Sequence, residues 1–258
     1  MAVDTYIEQA RTRTRSEQEA IDELLDAYET FIHRVRKLQP DQTRSSMGGL
    51  TTAGGVTHLS VEPSGPDRCR TVRTTFAETI RPHSVADLDD PESLLETIRE
   101  EFTDAVAVAL APTTEASFTP ELKQMVLTEA QSRESEAAAL REALEREEAH
   151  LNEAGAVVDD IIAWIVDTNE TPLTDLGFDA LKRRRETLGS HRDRCDEVAQ
   201  DRQRFLQRTT NNGFEAGVRH RNLIPYLYQD FSVDHPVLAT VTTLDEACRE
   251  CHELCETI

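Results

Sequence analysis

The fold is decided by residues 119–170, which read TPELKQMVLTEAQSRESEAAALREALEREEAHLNEAGAVVDDIIAWIVDTNE. Thr119-Pro120 is a typical helix start, because proline is favoured at the first helical position. Apolar residues then recur at helical spacing, which predicts one long amphipathic helix. These residues are Leu122, Val126, Ala137, Leu140, Leu144, Leu151, Ala154, Val158, Ile161 and Ile165, and the polar breaks in the series are Glu129, Arg133 and Glu147.

A second long helix is predicted after the turn at Pro172, so that residues 119–210 form an antiparallel αα-hairpin. Its heptad positions are occupied by Leu181, Leu188, Cys195 and Arg202 on one line and by Arg184, His191, Val198 and Phe205 on the other. Charge supports the pairing, because residues 83–170 contain 22 acidic and 5 basic residues, whereas residues 177–222 contain 7 acidic and 11 basic residues.

The other segments also favour helices, and the predicted fold class is all-α. We expect an elongated helical bundle with the long, coiled-coil-like hairpin and a small helical subdomain. Residues 1–38 predict an N-terminal heptad helix, residues 39–67 a flexible loop with glycine and proline, residues 68–112 the small helical subdomain, and residues 214–258 a C-terminal aromatic and cysteine segment. In that last segment, Thr243 and Glu246 form a capping-box pattern that predicts the start of the final helix.

The charge balance indicates the environment of the protein and not its activity. The chain contains 49 Asp and Glu against 28 Lys and Arg, a net charge of −21, and only three of the basic residues are lysine. Such an acidic surface is typical of a protein that stays soluble in multimolar salt, where charge repulsion is screened over about 3 Å. Because no secretory signal and no membrane-length apolar run is visible, we expect a cytoplasmic protein without membrane association.

The densest group of potential metal ligands is CRECHELC at residues 248–255. Cys248, Cys251, His252 and Cys255 have the spacing i, i+3, i+4 and i+7, which places them on one face of a helix. A c-type haem attachment sequence is one interpretation, although that chemistry requires export. A second is a zinc or iron-sulfur site completed by Cys195 or His191, and a third is that reduced thiols pack the helix against the protein.

The basic run from residue 182 onward allows a nucleic-acid interpretation. Its candidate residues are Lys182, Arg183, Arg184, Arg185, Arg192 and Arg194. No helix-turn-helix spacing accompanies them, and electrostatic binding to phosphates weakens as salt rises. The favoured interpretation is therefore that these residues pair with carboxylates of the other hairpin helix.

Four strings carry a resemblance that extends over most of the chain: FAETIRPHS at 76–84, LAP at 110–112 followed by FTPELK at 118–123, YLYQDFSVDHPVL at 226–238, and CRECHELC at 248–255. With these strings the chain resembles an uncharacterised haloarchaeal family, a domain of unknown function. The resemblance implies a halophilic, cytoplasmic, helical protein and supplies no catalytic residues.

The functional hypothesis is a coiled-coil-like interaction or scaffolding protein that binds a protein partner or a second copy. The predicted contact surface is the N-terminal heptad seam, formed by Ile21, Leu24, Tyr28, Phe31, Val35 and Leu38. A metal- or redox-responsive protein that uses the Cys/His helix and a transcriptional regulator that uses the arginine-rich helix remain the alternatives. No motif predicts a catalytic residue, and no cofactor is expected beyond the zinc or iron-sulfur alternative.

Overall fold

In the computed structural model, residues 5–41, 67–84, 93–114, 117–212 and 223–257 are described. All regular structure within these ranges is helical, which confirms the predicted all-α bundle. The α-helices are α1 (Ile7–Lys37), α2 (Arg68–Thr79), α3 (Arg81–Ser84), α4 (Leu94–Glu101), α5 (Asp104–Leu110), α6 (Pro120–Asn169), α7 (Phe178–Asn212), α8 (Leu223–Leu227) and α9 (Pro236–Thr257), and short 3-10 helices cover Pro112–Thr114 and Leu173–Asp175.

The chain divides into two compact units, and the boundaries between them fall inside helices. Unit 1 comprises Met1–Glu19 and Ala139–Ile258, and unit 2 comprises Ala20–Ala138. Helices α1 and α6 therefore contribute one part to each unit. The predicted division into five consecutive segments stays a prediction, and most of the predicted loop at residues 39–67 lies outside the described residues, which resume at residue 67.

Unit 2 is held together by an aromatic core. Phe31 of α1, Phe76 of α2 and Phe102 at the end of α4 are almost fully buried. Their ring centroids lie 5.4–6.1 Å apart, and Phe76 meets the other two rings edge to face. Such edge contacts are favourable because the positive ring edge faces the negative ring face. The core extends through α5 and the first part of α6.

Lys123 of α6 closes the C-terminal end of α1 within unit 2. Its ammonium group donates hydrogen bonds to the backbone oxygens of Arg36 and Leu38, both at 2.7 Å. The last carbonyls of a helix have no partner inside the helix, and they carry the negative end of the helix dipole. A single lysine therefore satisfies two of these carbonyls and fixes where α1 ends.

The predicted hairpin is present in unit 1, where the second part of α6 runs antiparallel to α7. Two contacts define the register: Asp160 pairs with Arg194 at 2.7 Å, and Asn169 Oδ1 accepts a hydrogen bond from Arg184 at 3.0 Å. The first part of α1 also lies on α6, because Arg15 pairs with Glu148 at 2.9 Å.

Helix α9 packs against α7 and begins earlier than predicted. It starts at Pro236, so the capping-box prediction at Thr243 and Glu246 is wrong. Proline at the first turn starts the helix without losing a hydrogen bond. Thr243 therefore lies inside the helix, and its hydroxyl donates to the backbone oxygen of Ala239 at 3.0 Å.

Candidate functional site

The cysteines of α9 are divided between the interior and the surface. Cys248 is completely buried and Cys255 is 9% exposed, whereas Cys251 and His252 are partly exposed. Cys195, the residue of α7 predicted to complete a metal shell, is buried as well. The four residues that the sequence places on one helix face as possible ligands are therefore not equally accessible, because two of them are packed in the interior. An attached haem would require the thiols of both Cys248 and Cys251, and Cys248 is inaccessible.

Burial also keeps these thiols protonated. Desolvation is the main cause that raises the pKa of Cys195 to about 11 and the pKa of Cys248 to about 12, and it raises the pKa of Cys255 as well. The thiolate is the form that binds metals and attacks electrophiles. Across the described ranges, no three or more His, Cys, Asp or Glu side chains are arranged to hold a metal ion. The geometry favours the packing interpretation.

Most of the predicted nucleic-acid candidates bind other parts of unit 1. Lys182 approaches Glu186 at 4.0 Å, Arg184 donates to Asn169 and Thr171, Arg185 pairs with Glu256 at 3.3 Å, Arg192 pairs with Asp245 at 2.9 Å, and Arg194 pairs with Asp160 at 2.7 Å. The predicted pairing with carboxylates of the other hairpin helix holds for Arg194. Arg184 reaches the end of that helix and the turn after it, but it binds the Asn169 side-chain oxygen and the Thr171 backbone oxygen instead of a carboxylate. The prediction is wrong for Lys182, whose partner lies on α7 itself, and for Arg185 and Arg192, whose partners lie on α9, because α7 packs against that helix as well.

Arg183 is the exception in this run. Its side chain is exposed, and among the residues that the structure describes it has no ion pair or hydrogen bond. A phosphate-binding surface would need several free cations in a row. Among the six candidate residues, all of which the structure describes, Arg183 alone is free, so the structure gives the regulator hypothesis little support.

The N-terminal seam is covered by the chain itself. Tyr28, Phe31 and Val35 are buried in the core of unit 2, and Leu24 and Leu38 pack against that core. Ile21 is half-buried. The sequence prediction that this seam faces a partner helix is therefore corrected: its apolar side chains pack against helices of the same unit. Heptad spacing identified the buried face of α1 but not what covers it.

The most buried polar group in unit 1 is an ion pair that sequence reasoning did not single out as a site. Arg202 of α7 donates two hydrogen bonds to the carboxylate of Glu147 in α6, each at 2.8 Å, and both side chains are completely buried. Tyr228, which follows α8, donates its hydroxyl to the same carboxylate. Burial, followed by the charge of Glu147, raises the pKa of Tyr228.

A signal for this pair was present in the sequence. Arg202 occupies a core heptad position of the second hairpin helix, and Glu147 is a polar break in the apolar series of the first. Opposite charges at core positions of adjacent helices indicate a buried pair, because a lone buried charge is very costly. The position of Tyr228 has no such signal, since it lies in an irregular segment.

Two histidines beside the hairpin interface have lowered pKa values. His191 packs edge to face against Trp164, with ring centroids 4.8 Å apart, and its Nε2 is buried without a partner among the described residues. Burial and then the charge of Arg194 lower the pKa of His191. The ring of His150 packs against Phe205 in a tilted arrangement, and burial lowers the pKa of His150 as well.

Replacing His191 with glutamine is expected to weaken the loss of stability in acid. The folded-state pKa is lowered, so the unfolded chain, with an ordinary pKa of about 6.5, binds more protons below that pH. Stability is unaffected above about pH 6.5 and falls as the pH drops further, by at most about 1.4 kcal/mol per pH unit for each histidine. Urea unfolding between pH 8 and pH 5, followed by the fluorescence of Trp164, measures this slope.

The control is the interval between pH 8 and pH 7, in which the difference in stability between His191→Gln and wild type should stay constant. The explanation would be rejected if His191→Gln and wild type lost stability equally between pH 6.5 and pH 5.

One end of unit 1 exposes apolar side chains. We define the hairpin end as residues 162–183, which connect the last turns of α6 to the first turns of α7. Phe178 is 81% exposed and Val166 is 59% exposed. The other large apolar residues of this segment are half-buried: Ile162, Trp164, Ile165, Leu173, Leu176 and Leu181. Leu254 of α9 is 56% exposed at the same end, two residues from the Glu256 that pairs with Arg185.

The fold and these sites define an all-helical bundle protein with a buried ion pair in unit 1 and with exposed apolar side chains at the hairpin end. Within the described ranges, no helix is long and apolar enough to cross a membrane. The chain belongs to the family described as "Domain of unknown function (DUF7260)", which matches residues 5–252. No curated protein and no solved structure matches the chain significantly.

Proposed function

We propose that this chain is an interaction protein that binds a protein partner through the hairpin end of unit 1. The observation that carries the proposal is Phe178, an aromatic side chain that is 81% exposed at the first position of α7. Single exposed apolar residues are ordinary on protein surfaces. Phe178 is accompanied by Val166 and by half-buried apolar residues of the same short segment, and such concentrations mark interaction surfaces.

A protein partner fits this end better than a lipid surface. The hairpin end carries the exposed carboxylates of Asp167, Glu170, Asp175 and Asp179. Anionic headgroups would repel these groups, whereas a protein partner can place cations opposite them. Aromatic residues inside a polar rim are also the usual composition of protein interfaces.

We also propose a salt-adapted, haloarchaeal origin and a cytoplasmic location. The net charge of −21 and the scarcity of lysine support this origin. In multimolar salt, long-range attraction between charges is screened. Binding in such a medium relies on apolar contact, and an exposed phenylalanine supplies it.

A photo-crosslinking amino acid at position 178 tests the proposed function. Benzoylphenylalanine keeps the aromatic ring, and position 178 is exposed, so the substitution should leave the fold intact. In the cells that produce the chain, irradiation is expected to yield one main crosslinked product, which mass spectrometry identifies. Crosslinks to lipid instead of protein would refute the proposal.

Val108 of α5 gives the matched control, because it is an apolar residue with 49% exposure in unit 2. The same amino acid at position 108 should give no discrete product. Equal crosslinking from positions 178 and 108, or none from either, would contradict a specific surface at the hairpin end.

A further inference from the structure

We infer that Cys251 and Cys255 form a peroxide-sensitive thiol pair, in which oxidation joins the two sulfurs by a disulfide bond across the last turn of α9. This inference goes beyond the proposed function, because it concerns a modification site on α9 and requires no partner protein. It begins from the exposure of Cys251.

Cys251 differs from the other cysteines in its access to solvent. All five cysteines of the chain lie within the described ranges, where four are buried and Cys251 is partly exposed. Oxidation by hydrogen peroxide depends on the thiolate character of a cysteine and on its access to solvent. Packing between α7 and α9 therefore explains the buried Cys195 and Cys248, but it leaves Cys251 open to a small oxidant.

Cys255 is the neighbouring thiol that can react with oxidised Cys251. The two residues are one helical turn apart, so their α-carbons are separated by about 6 Å, within the range of roughly 4.4–6.8 Å that disulfides span. Burial is the main cause that raises the pKa of Cys255, the charge of Arg184 opposes that rise, and a negative charge on Cys251 adds to it. This last effect identifies the two thiols as close neighbours.

Cys248 also lies one turn from Cys251, but it is held in the packed middle of α9. It is completely buried, and it follows Asp245, which pairs with Arg192 of α7 at 2.9 Å. Side chains one turn apart on a helix have β-carbons about 5–6 Å apart, whereas a disulfide needs roughly 3.5–4.5 Å, so the backbone must move. The ends of helices fray, and they open at a lower cost than packed segments. The last turn, which contains Cys255, can therefore adjust more readily than the turn at Cys248.

The reaction is a two-electron oxidation of two thiols by one molecule of hydrogen peroxide. The Cys251 thiolate attacks one peroxide oxygen, the O–O bond breaks, and the departing hydroxide takes up a proton to become water. The Cys255 sulfur then attacks the sulfenic sulfur of Cys251, the S–O bond breaks, and the S–S bond forms. The departing hydroxide takes the proton of the Cys255 thiol and becomes the second water. Reversible disulfides of this kind occur in cytosolic redox-sensing proteins.

A disulfide at this position changes how the end of α9 is held on α7. Glu256 directly follows Cys255, and its carboxylate pairs with Arg185 of α7 at 3.3 Å. The backbone movement that brings the two β-carbons together displaces this carboxylate from Arg185. The oxidised last turn is therefore expected to be less firmly attached to α7 than the reduced one.

Peptide mapping of the purified full chain tests the inference. Trypsin cleaves after Arg249, so residues 250–258 form one peptide that contains both Cys251 and Cys255, whereas Cys248 lies in the preceding peptide. The folded chain is treated with hydrogen peroxide, unfolded in iodoacetamide and digested. The expected product is a 250–258 peptide that carries no alkyl group and is lighter than the reduced peptide by two hydrogen atoms. Dithiothreitol should restore both alkylation sites.

Three variants assign the roles of the thiols. Cys255→Ser should stop the reaction at the sulfenic acid of Cys251, which dimedone traps. Cys251→Ser should leave Cys255 reduced and fully alkylated after unfolding. Cys248→Ala is the matched control, because it removes a thiol one turn from Cys251 on the other side, and it should leave the yield of the disulfide unchanged. In the wild-type chain, oxidation should accelerate amide hydrogen exchange in the last turn of α9 and leave residues 236–246 unchanged.

A 250–258 peptide that stays fully alkylated after peroxide treatment would overturn the inference. So would a disulfide to Cys248, a disulfide between two chains, or oxidation of Cys251 to the sulfinic acid without bond formation. If the disulfide forms and hydrogen exchange in the last turn does not change, its effect on the contact between α9 and α7 is refuted. None of these measurements involves a partner protein, so their failure leaves the proposed function standing, and failed crosslinking from position 178 leaves the thiol pair standing.

Discussion

Replacement of Arg202 with methionine is expected to lower the free energy of unfolding by about 3–5 kcal/mol. Methionine fills a similar volume but cannot donate hydrogen bonds. The carboxylate of Glu147 would then remain completely buried with the Tyr228 hydroxyl as its one remaining partner among the side chains described above. The loss of a charge partner costs more than the pair contributes, because the desolvated charge is left uncompensated.

Urea unfolding followed by the fluorescence of Trp164 measures this loss in the unit that contains the pair. Arg204 provides a matched control two residues away on α7, where it is exposed and pairs with exposed Asp201. The same change, Arg204→Met, should leave the unfolding midpoint nearly unchanged, because exposed ion pairs contribute little. Equal effects at positions 202 and 204 would show that burial of the pair is not the cause.

The double variant Glu147→Leu with Arg202→Met separates the cost of an orphaned charge from the contribution of the pair. When both partners become apolar residues of similar size, no buried charge remains. The double variant is therefore expected to be more stable than Arg202→Met alone, even though it removes more polar contacts. The Tyr228 hydroxyl then lacks its acceptor, so full recovery requires the additional change Tyr228→Phe. A double variant that loses the sum of the two single losses would contradict this explanation.

The same pair shows what could be predicted from the sequence and what could not. Periodicity identified α6 and α7 and placed Glu147 and Arg202 at core positions of adjacent helices. Local patterns report which face of a helix is buried. They do not report which distant segment reaches that face. Tyr228 approaches the pair from an irregular turn 81 residues after Glu147, and no spacing rule connects the two.

The partners of the arginines show the same limit of prediction from local sequence patterns. Opposite net charge on the two hairpin helices predicted their pairing correctly for Arg194. Helix α9 also packs on α7, and it supplies the carboxylates that bind Arg185 and Arg192. A prediction of two helices in isolation omits this third helix. The heptad seam of α1 illustrates the point again, because its buried face was predicted correctly and its partner was not.

The exposed hairpin end was missed for a different reason. The run from Ile161 to Val166 is apolar on consecutive positions, and such a run predicts burial on all sides of a helix. The structure buries Ile161 and leaves Val166 59% exposed, because the bundle ends there. Where a bundle ends depends on the lengths of the neighbouring helices. A sequence pattern within one helix contains no information about those lengths.

Replacement of Phe76 with alanine is expected to lower the stability of unit 2 by about 3–5 kcal/mol. The ring is completely buried and lies 6.1 Å from Phe31 and 5.4 Å from Phe102, measured between ring centroids. Its removal loses the free energy gained by burying a large apolar surface. It also leaves a cavity between three helices, which cannot close unless the other two rings shift. Because Trp164 lies in unit 1, chemical unfolding of this variant is followed by far-ultraviolet circular dichroism.

Phe178→Ala is the matched control, since it removes the same ring from a site that is 81% exposed. Little stability should be lost there, because an exposed ring gains almost nothing from folding. Phe76→Leu should lose much less than Phe76→Ala, because most of the volume is retained. Similar losses for Phe76→Ala and Phe178→Ala would contradict both the aromatic core of unit 2 and the exposed position of Phe178. A large loss at position 76 with no loss at position 178 would show that the burial of the ring, and not the presence of a phenylalanine, determines the contribution to stability.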